Sequence, residues 1–129
     1  MLKKLTPNLM VEDVARTLDF YRELLGFEVV TTLPDQEPFD FAIVHRDGVE
    51  LMFQSRPSLS ENVPALTGVP IGASQTFYIE VEGVRDLYHA LHDKVEIVVD
   101  FHTTFYGTQE FYFREINGYI LCFSEASSN

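Results

Sequence analysis

The chain has 129 residues, and 9 Lys and Arg stand against 20 Asp and Glu, giving a net charge of −11. That balance repels nucleic-acid phosphates and anionic lipid and suits neutral or cationic ligands. A single cysteine, Cys122, excludes an internal disulfide and suits a reducing, cytoplasmic setting. No apolar run approaches the roughly 20 residues that span a bilayer. Pro7, Asn8, Glu12 and Asp13 interrupt what could otherwise resemble an export signal.

In chain order, residues 5–11 alternate, with Leu5, Pro7, Leu9 and Val11 on one face and Thr6, Asn8 and Met10 on the other, as a half-buried strand does. Asp13 can cap a helix whose stripe is Val14, Leu18, Tyr21, Leu24 and Leu25, and Gly26 is placed to end it. Residues 27–32 are β-rich, and 39–44 with 49–54 read as a hairpin around Arg46, Asp47 and Gly48. Pro57, Pro64, Pro70, Gly68 and Gly72 mark 56–74 as a linker. The order then recurs: a strand at 75–81, a helix at about 84–94 carrying Leu87, Tyr88 and Leu91, and strands at 96–101, 110–114 and 119–124.

This recurrence is visible in the residues. At an offset of 70, identities fall at Thr6/Thr76, Val11/Val81, Glu12/Glu82, Val14/Val84, Val29/Val99, Phe41/Phe111, Gly48/Gly118, Leu51/Leu121 and Phe53/Phe123, with Leu9/Ile79 and Ile43/Phe113 as apolar matches. A repeat of this length implies a duplicated βαβββ module within one domain. The modules cover about 1–55 and 75–126, in an α+β chain of mostly antiparallel strands.

Residues 7–14 (PNLMVEDV) and 19–27 (DFYRELLGF), with the closing strands Glu110 to Arg114 and Asn117 to Tyr119, resemble the vicinal oxygen chelate superfamily. Its members include glyoxalase I, extradiol dioxygenases, fosfomycin-resistance enzymes and bleomycin-resistance proteins. The resemblance implies that the two modules curl into a cupped sheet with the helices outside and a ligand inside. Strand parity assigns Leu9, Val11, Leu51, Phe53, Leu121 and Phe123, with Phe77 and Ile79, to the helix-facing side. The opposite, mixed face holds Thr6, Asn8, Met10, Glu50, Met52 and Gln54 in the first module. In the second it holds Thr76, Tyr78, Glu80, Cys122 and Ser124.

The resemblance also implies where a metal would be held, on the first and last strands of each module. Those positions correspond to Thr6 and Thr76, to Cys122, and to Glu50 or Met52. Threonine hydroxyls are poor ligands, and Glu50 with Cys122 gives two strong donors where a catalytic metal usually needs three. The expectation is a site without metal or other cofactor. His89 and His92 lie off the helix stripe and read as solvated, and His45 reads as a hairpin residue. His102 leads into a loop that the resemblance places at the cup mouth, as a ligand contact or a loop hydrogen-bonder.

Glu50, if enclosed, would have its pKa raised toward a general base's range; otherwise it is solvated or paired with Arg114. Tyr78, Tyr106 and Tyr112 can clamp a flat ligand or merely fill a small cavity. Cys122 reads as a small buried hydrophobe rather than a nucleophile. The candidate ligand contacts are thus Asn8, Glu50, Met52 and Gln54 in the first module, and Tyr78, His102, Tyr106, Tyr112, Arg114 and Cys122 in the second.

The leading functional expectation is a metal-independent small-molecule binder similar to bleomycin-resistance proteins. It would form a homodimer, take a cationic or aromatic ligand, and engage neither nucleic acid nor membrane. The competing expectation is a lyase, isomerase or dioxygenase-like enzyme with Glu50 as base or metal ligand. A third is a dimerisation or regulatory module whose cup is filled by its own side chains.

Overall fold

In a computed structural model, which describes residues 1–127, the chain divides into one unit over Met1–Ile71 and a second from Gly72 onward. The first unit begins with β1 (Asn8–Val11) and α1 (Val14–Leu25), followed by β2 (Glu28–Leu33), β3 (Phe41–Arg46) and β4 (Val49–Ser55). Its sheet runs β1-β4-β3-β2, with β1 parallel to β4 and the other pairs antiparallel. Residues 5–7, expected in the first strand, precede it, although the Pro7 carbonyl still accepts from the Met52 N–H at 2.9 Å.

Both ends of α1 are closed by side chains or glycine geometry. The Asp13 carboxylate accepts from the Arg16 N–H at 3.0 Å, satisfying a donor that the first turn leaves free. Gly26, at φ 71°, turns the chain out of the helix, and Arg46 on β3 donates to the Leu25 carbonyl at 2.6 Å. Val14, Leu18, Tyr21 and Leu25 are buried, as are Leu9, Val11, Leu51 and Phe53 on the helix-facing side of the sheet. The Tyr21 and Phe53 rings meet at 4.7 Å between centroids.

Residues 56–74 contain more order than their prolines suggest. A second helix, α2 (Arg56–Asn62), is capped by the Ser55 hydroxyl and carries Pro57 in its first turn, where a missing N–H removes no helical bond. Leu59 anchors it. A single 3₁₀ turn, Pro64–Leu66, follows.

The second unit contains β5 (Thr76–Glu80), α3 (Val84–Leu91), β6 (Glu96–Thr103), β7 (Thr108–Arg114) and β8 (Ile120–Ala126). Its sheet runs β5-β8-β7-β6, with β5 parallel to β8, so each unit is a βαβββ module with a four-stranded mixed sheet. Helix α3 stops three residues short of the expected end at 94. Its cap, Gly83, has no side chain, and Glu125 on β8 substitutes by accepting from the Gly83 and Val84 N–H groups at 3.1 Å. Phe111, Phe113, Leu121 and Phe123 form the core.

The pairing registers correct part of the internal alignment. Asn8 lies opposite Met52 and Tyr78 opposite Cys122, so the outer parallel pairs do match at offset 70. On the hairpins, however, Ala42 pairs with Phe53 while Phe111 pairs with Phe123, and Val44 pairs with Leu51 while Phe113 pairs with Leu121. Strand β7 therefore corresponds to β3 at offset 69, because the second hairpin turn is one residue longer. The Phe41/Phe111 identity and the Ile43/Phe113 match are out of step by one position. A one-residue slip in a strand exchanges its two faces. Phe111 takes the place of Ala42, and Glu110, opposite Ser124, takes that of Phe41, opposite Gln54. Val29/Val99 is displaced by two positions, since Ile97 pairs with Phe113 as Val29 pairs with Val44.

Candidate functional site

On the second sheet, the face away from the core carries Tyr78 from β5, Glu110 and Tyr112 from β7, and Cys122 and Ser124 from β8, side by side through register. At its centre lies Glu110, 1% exposed. One carboxylate oxygen, Oε2, accepts from Tyr78 at 2.9 Å and from Thr108 and Ser124 at 3.0 Å, while Oε1 accepts from Tyr106 at 2.8 Å. The Tyr78 and Ser124 hydroxyl oxygens lie 2.8 Å apart, so when one gives its proton to the other it no longer gives it to Glu110. Burial pushes the Glu110 pKa up, but the hydroxyls of Tyr106, Tyr78, Ser124 and Thr108 outweigh it and bring the carboxyl below its ordinary value. Among the described residues no Lys, Arg or His forms an ion pair with it.

The flanking groups are held in their neutral forms. Burial pushes the Tyr112 phenol up to about 12 and the Cys122 thiol up to about 11, with the Glu110 charge adding to both. Cys122 is fully buried, as expected of a core cysteine, and has no thiolate to offer near neutrality. Tyr106 lies on the β6–β7 turn, which is fixed by bonds between Thr104 and Thr108, among them Thr104 N–H to Thr108 carbonyl at 2.8 Å. Its own pKa is raised by the bond to Glu110. His102 lies within β6, directly opposite Glu110, and its Nδ1 is 2.8 Å from the Asp100 carbonyl. Arg114 is at the far end of β7, bound to Glu96 at 3.2 Å and to the Gly118 carbonyl at 3.4 Å.

The corresponding face of the first sheet is built differently. Asn8 donates to the Gln54 side-chain oxygen at 2.9 Å, and buried Gln54 donates on to Ser58 of α2, also at 2.9 Å. Met52 is half-buried opposite Asn8. Glu50 is not an enclosed base. It bonds Lys4 at 2.8 Å and Thr6 at 3.5 Å, and the Lys4 ammonium holds its carboxyl below, not above, the ordinary range. Its partner is Lys4 and not Arg114, which is committed to Glu96.

Of the remaining histidines, His45 lies 3.9 Å from Glu28, and exposed His92 stacks on Tyr88 at 5.2 Å. His89 is exposed as well.

The donor set does not suit the superfamily's metal. Strand register makes Met52 the counterpart of Cys122, and Glu50 that of Ile120. The combination of Glu50 with Cys122 thus mixes two non-equivalent positions. Either matched choice joins Thr6 and Thr76 to a single strong donor, short of the usual three. Among the described residues no group of three or more His, Cys, Asp or Glu is placed to hold a metal ion.

Parity within β7 could have found Glu110, because it lies two residues before Tyr112, an expected contact, and shares its face. Its burial by hydroxyls contributed from β5, β8 and the β6–β7 turn is invisible to local pattern.

Comparison with known proteins matches this architecture. The chain resembles a glyoxalase/bleomycin resistance protein/dioxygenase superfamily member from Sphaerobacter thermophilus, with TM-score 0.79, 20% identity, and 97% of this chain and 98% of that one covered. A glyoxalase/bleomycin resistance protein/dioxygenase from Nocardioides is similar at TM-score 0.78 and 19% identity, over 100% of this chain and 88% of that one. Lactoylglutathione lyase from Agrobacterium tumefaciens gives TM-score 0.71 and 19% identity, over 97% and 94%. No curated protein matches the chain in sequence. The sequence profile of the Glyoxalase/Bleomycin resistance protein/Dioxygenase superfamily matches residues 5–123, and the chain belongs to that superfamily.

Proposed function

We propose that the chain is a metal-independent small-molecule-binding protein, of the kind exemplified by the superfamily's bleomycin-resistance proteins, with its ligand on the mixed face of the second sheet. The observation that carries this reading is the state of three groups that could do chemistry. Glu50 is an ion-paired carboxylate, Glu110 is a hydroxyl-bound carboxylate, and Cys122 is a protonated thiol. None of the three is set near neutrality, where general acid–base catalysis works best. The same face offers fixed hydroxyls and partly exposed tyrosines, groups suited to orienting a ligand. Tyr78, Tyr106 and Tyr112 supply the rings, with His102 at their edge.

We also read the protein as a cytoplasmic homodimer. Among the described residues no helix is long and apolar enough to cross a membrane, and light scattering of the purified protein should give the mass of two chains.

A thermal-shift screen of chelator-treated protein against bleomycin and a panel of small organic compounds tests the binding reading. At least one compound should raise the melting temperature of the wild type without added metal, because a ligand that binds only the native state stabilises it. The same compound should leave a Tyr78→Ala/Tyr106→Ala variant unshifted. Shifts that appear only after restoring a divalent metal would overturn the reading.

A further inference from the structure

We infer that the ligand of this face is an organic cation poor in hydrogen-bond donors, an alkylated aromatic ammonium, recognised by Tyr78 and Tyr106 above the Glu110 charge. The inference rests on the small-molecule reading above and narrows it to one chemical class.

Charge is the first argument. Glu110 is a buried carboxylate without a paired cation among the described residues. Four hydroxyls replace its water but bring no positive charge. A positive ligand supplies that charge in a setting of lower dielectric than water. An anionic ligand meets both this carboxylate and a chain of net charge −11.

Hydrogen bonding is the second. Three of the four hydroxyls crowd onto Oε2, and the carboxylate is 1% exposed. A ligand N–H therefore gains little by reaching for it. What the surface presents is Tyr78 and Tyr106, residues 48% and 55% exposed, with their hydroxyls tethered to the anion. Tethering fixes both rings, and a cation over a tyrosine face is attracted without donating a hydrogen bond. Fully exposed Phe105 stands edge-on to Tyr106 at 5.1 Å and extends the aromatic surface.

Arg114 is bound to Glu96, and the His102 Nδ1 is turned to the Asp100 carbonyl.

The test is isothermal titration of the wild type at about pH 8 with N-methylquinolinium, a permanent cation, and with quinoline, which is neutral there. The cation should bind about tenfold or more tightly than quinoline. Glu110→Gln should bring the two to within about twofold by weakening the cation alone. Should that variant fail to fold, Tyr106→Leu, on the turn, should weaken N-methylquinolinium about threefold or more in protein that still unfolds cooperatively. Equal or tighter binding of quinoline by the wild type overturns the inference while leaving a small-molecule binder. So does a cation preference untouched by Glu110→Gln, or an unchanged affinity in Tyr106→Leu. Binding of neither probe also overturns it, and the broader reading is then decided by the thermal-shift screen.

Discussion

The two modules share a chain order and a core yet differ at the face away from the helix. In the first, Glu50 meets Lys4 near the surface, and Asn8, Gln54 and Ser58 form a neutral amide–hydroxyl chain. In the second, the partners equivalent to Asn8 and Gln54 are Tyr78 and Ser124, whose hydroxyl oxygens lie 2.8 Å apart beside a buried carboxylate. The positions that hold the helix on the sheet are alike in the two modules, while the opposite face is neutral in one and anionic in the other. The helices diverged too. The twelve-residue α1 is capped by its own Asp13, whereas the eight-residue α3 takes its cap from Glu125 on a distant strand.

The two modules should respond most strongly, and alike, to substitutions in their cores. Phe53→Ala and Phe113→Ala each remove a fully buried ring, and each should cost about 3–5 kcal/mol in urea unfolding. A large cost in one module and a negligible cost in the other would show that the shared core is not shared in energy.

At the divergent faces, Glu110→Gln disturbs four hydrogen bonds and should destabilise by about 1–3 kcal/mol. Glu50→Gln, on the partly exposed Lys4 pair, should have a smaller effect. The reverse order would exchange the roles given to the two carboxylates.

Acid titration sharpens the same contrast. Both carboxyls lie below the ordinary value of 4.5 in the folded chain. Their contribution is complete above that value and is lost as pH falls through the lower folded pKa. Stability followed by denaturant from neutral pH into acid should therefore fall in the wild type. It should fall less steeply in Glu110→Gln, with Glu50→Gln intermediate.

Smallest of all, Asp13→Ala and Glu125→Ala should each cost about 1 kcal/mol. The loss of Glu125 should show as faster amide exchange at the start of α3 alone.

Much of this fold is legible in the sequence because the alternation of Leu9 and Val11, and of Leu51 and Phe53, fixes which side of each strand meets the helix. Asp13 and Gly26 bracket α1 with groups that have a local mechanism. The site is less legible. Phe41 and Phe111 look like counterparts, but one extra residue in the 115–119 turn shifts β7 by one position. Glu110 therefore stands in the place of Phe41, and Phe111 in that of Ala42. A turn's length sets register, and register depends on partners far away in the chain. Glu50 misled for a related reason: its parity is correct, but Lys4, 46 residues earlier, sets its charge state. Pro57 misled because a proline breaks a helix only beyond the first turn.

We propose that the second module's hydroxyl-held carboxylate marks a binding face for an organic molecule and that the superfamily's metal is not needed there. Native mass spectrometry of protein purified without added metal or chelator tests it most directly. The wild type should carry a noncovalent organic adduct that dissociates on denaturation and is missing from the Tyr78→Ala/Tyr106→Ala variant. A stoichiometric nickel, zinc, iron or manganese ion carried by the folded chain, with ligand retention dependent on it, would contradict the account.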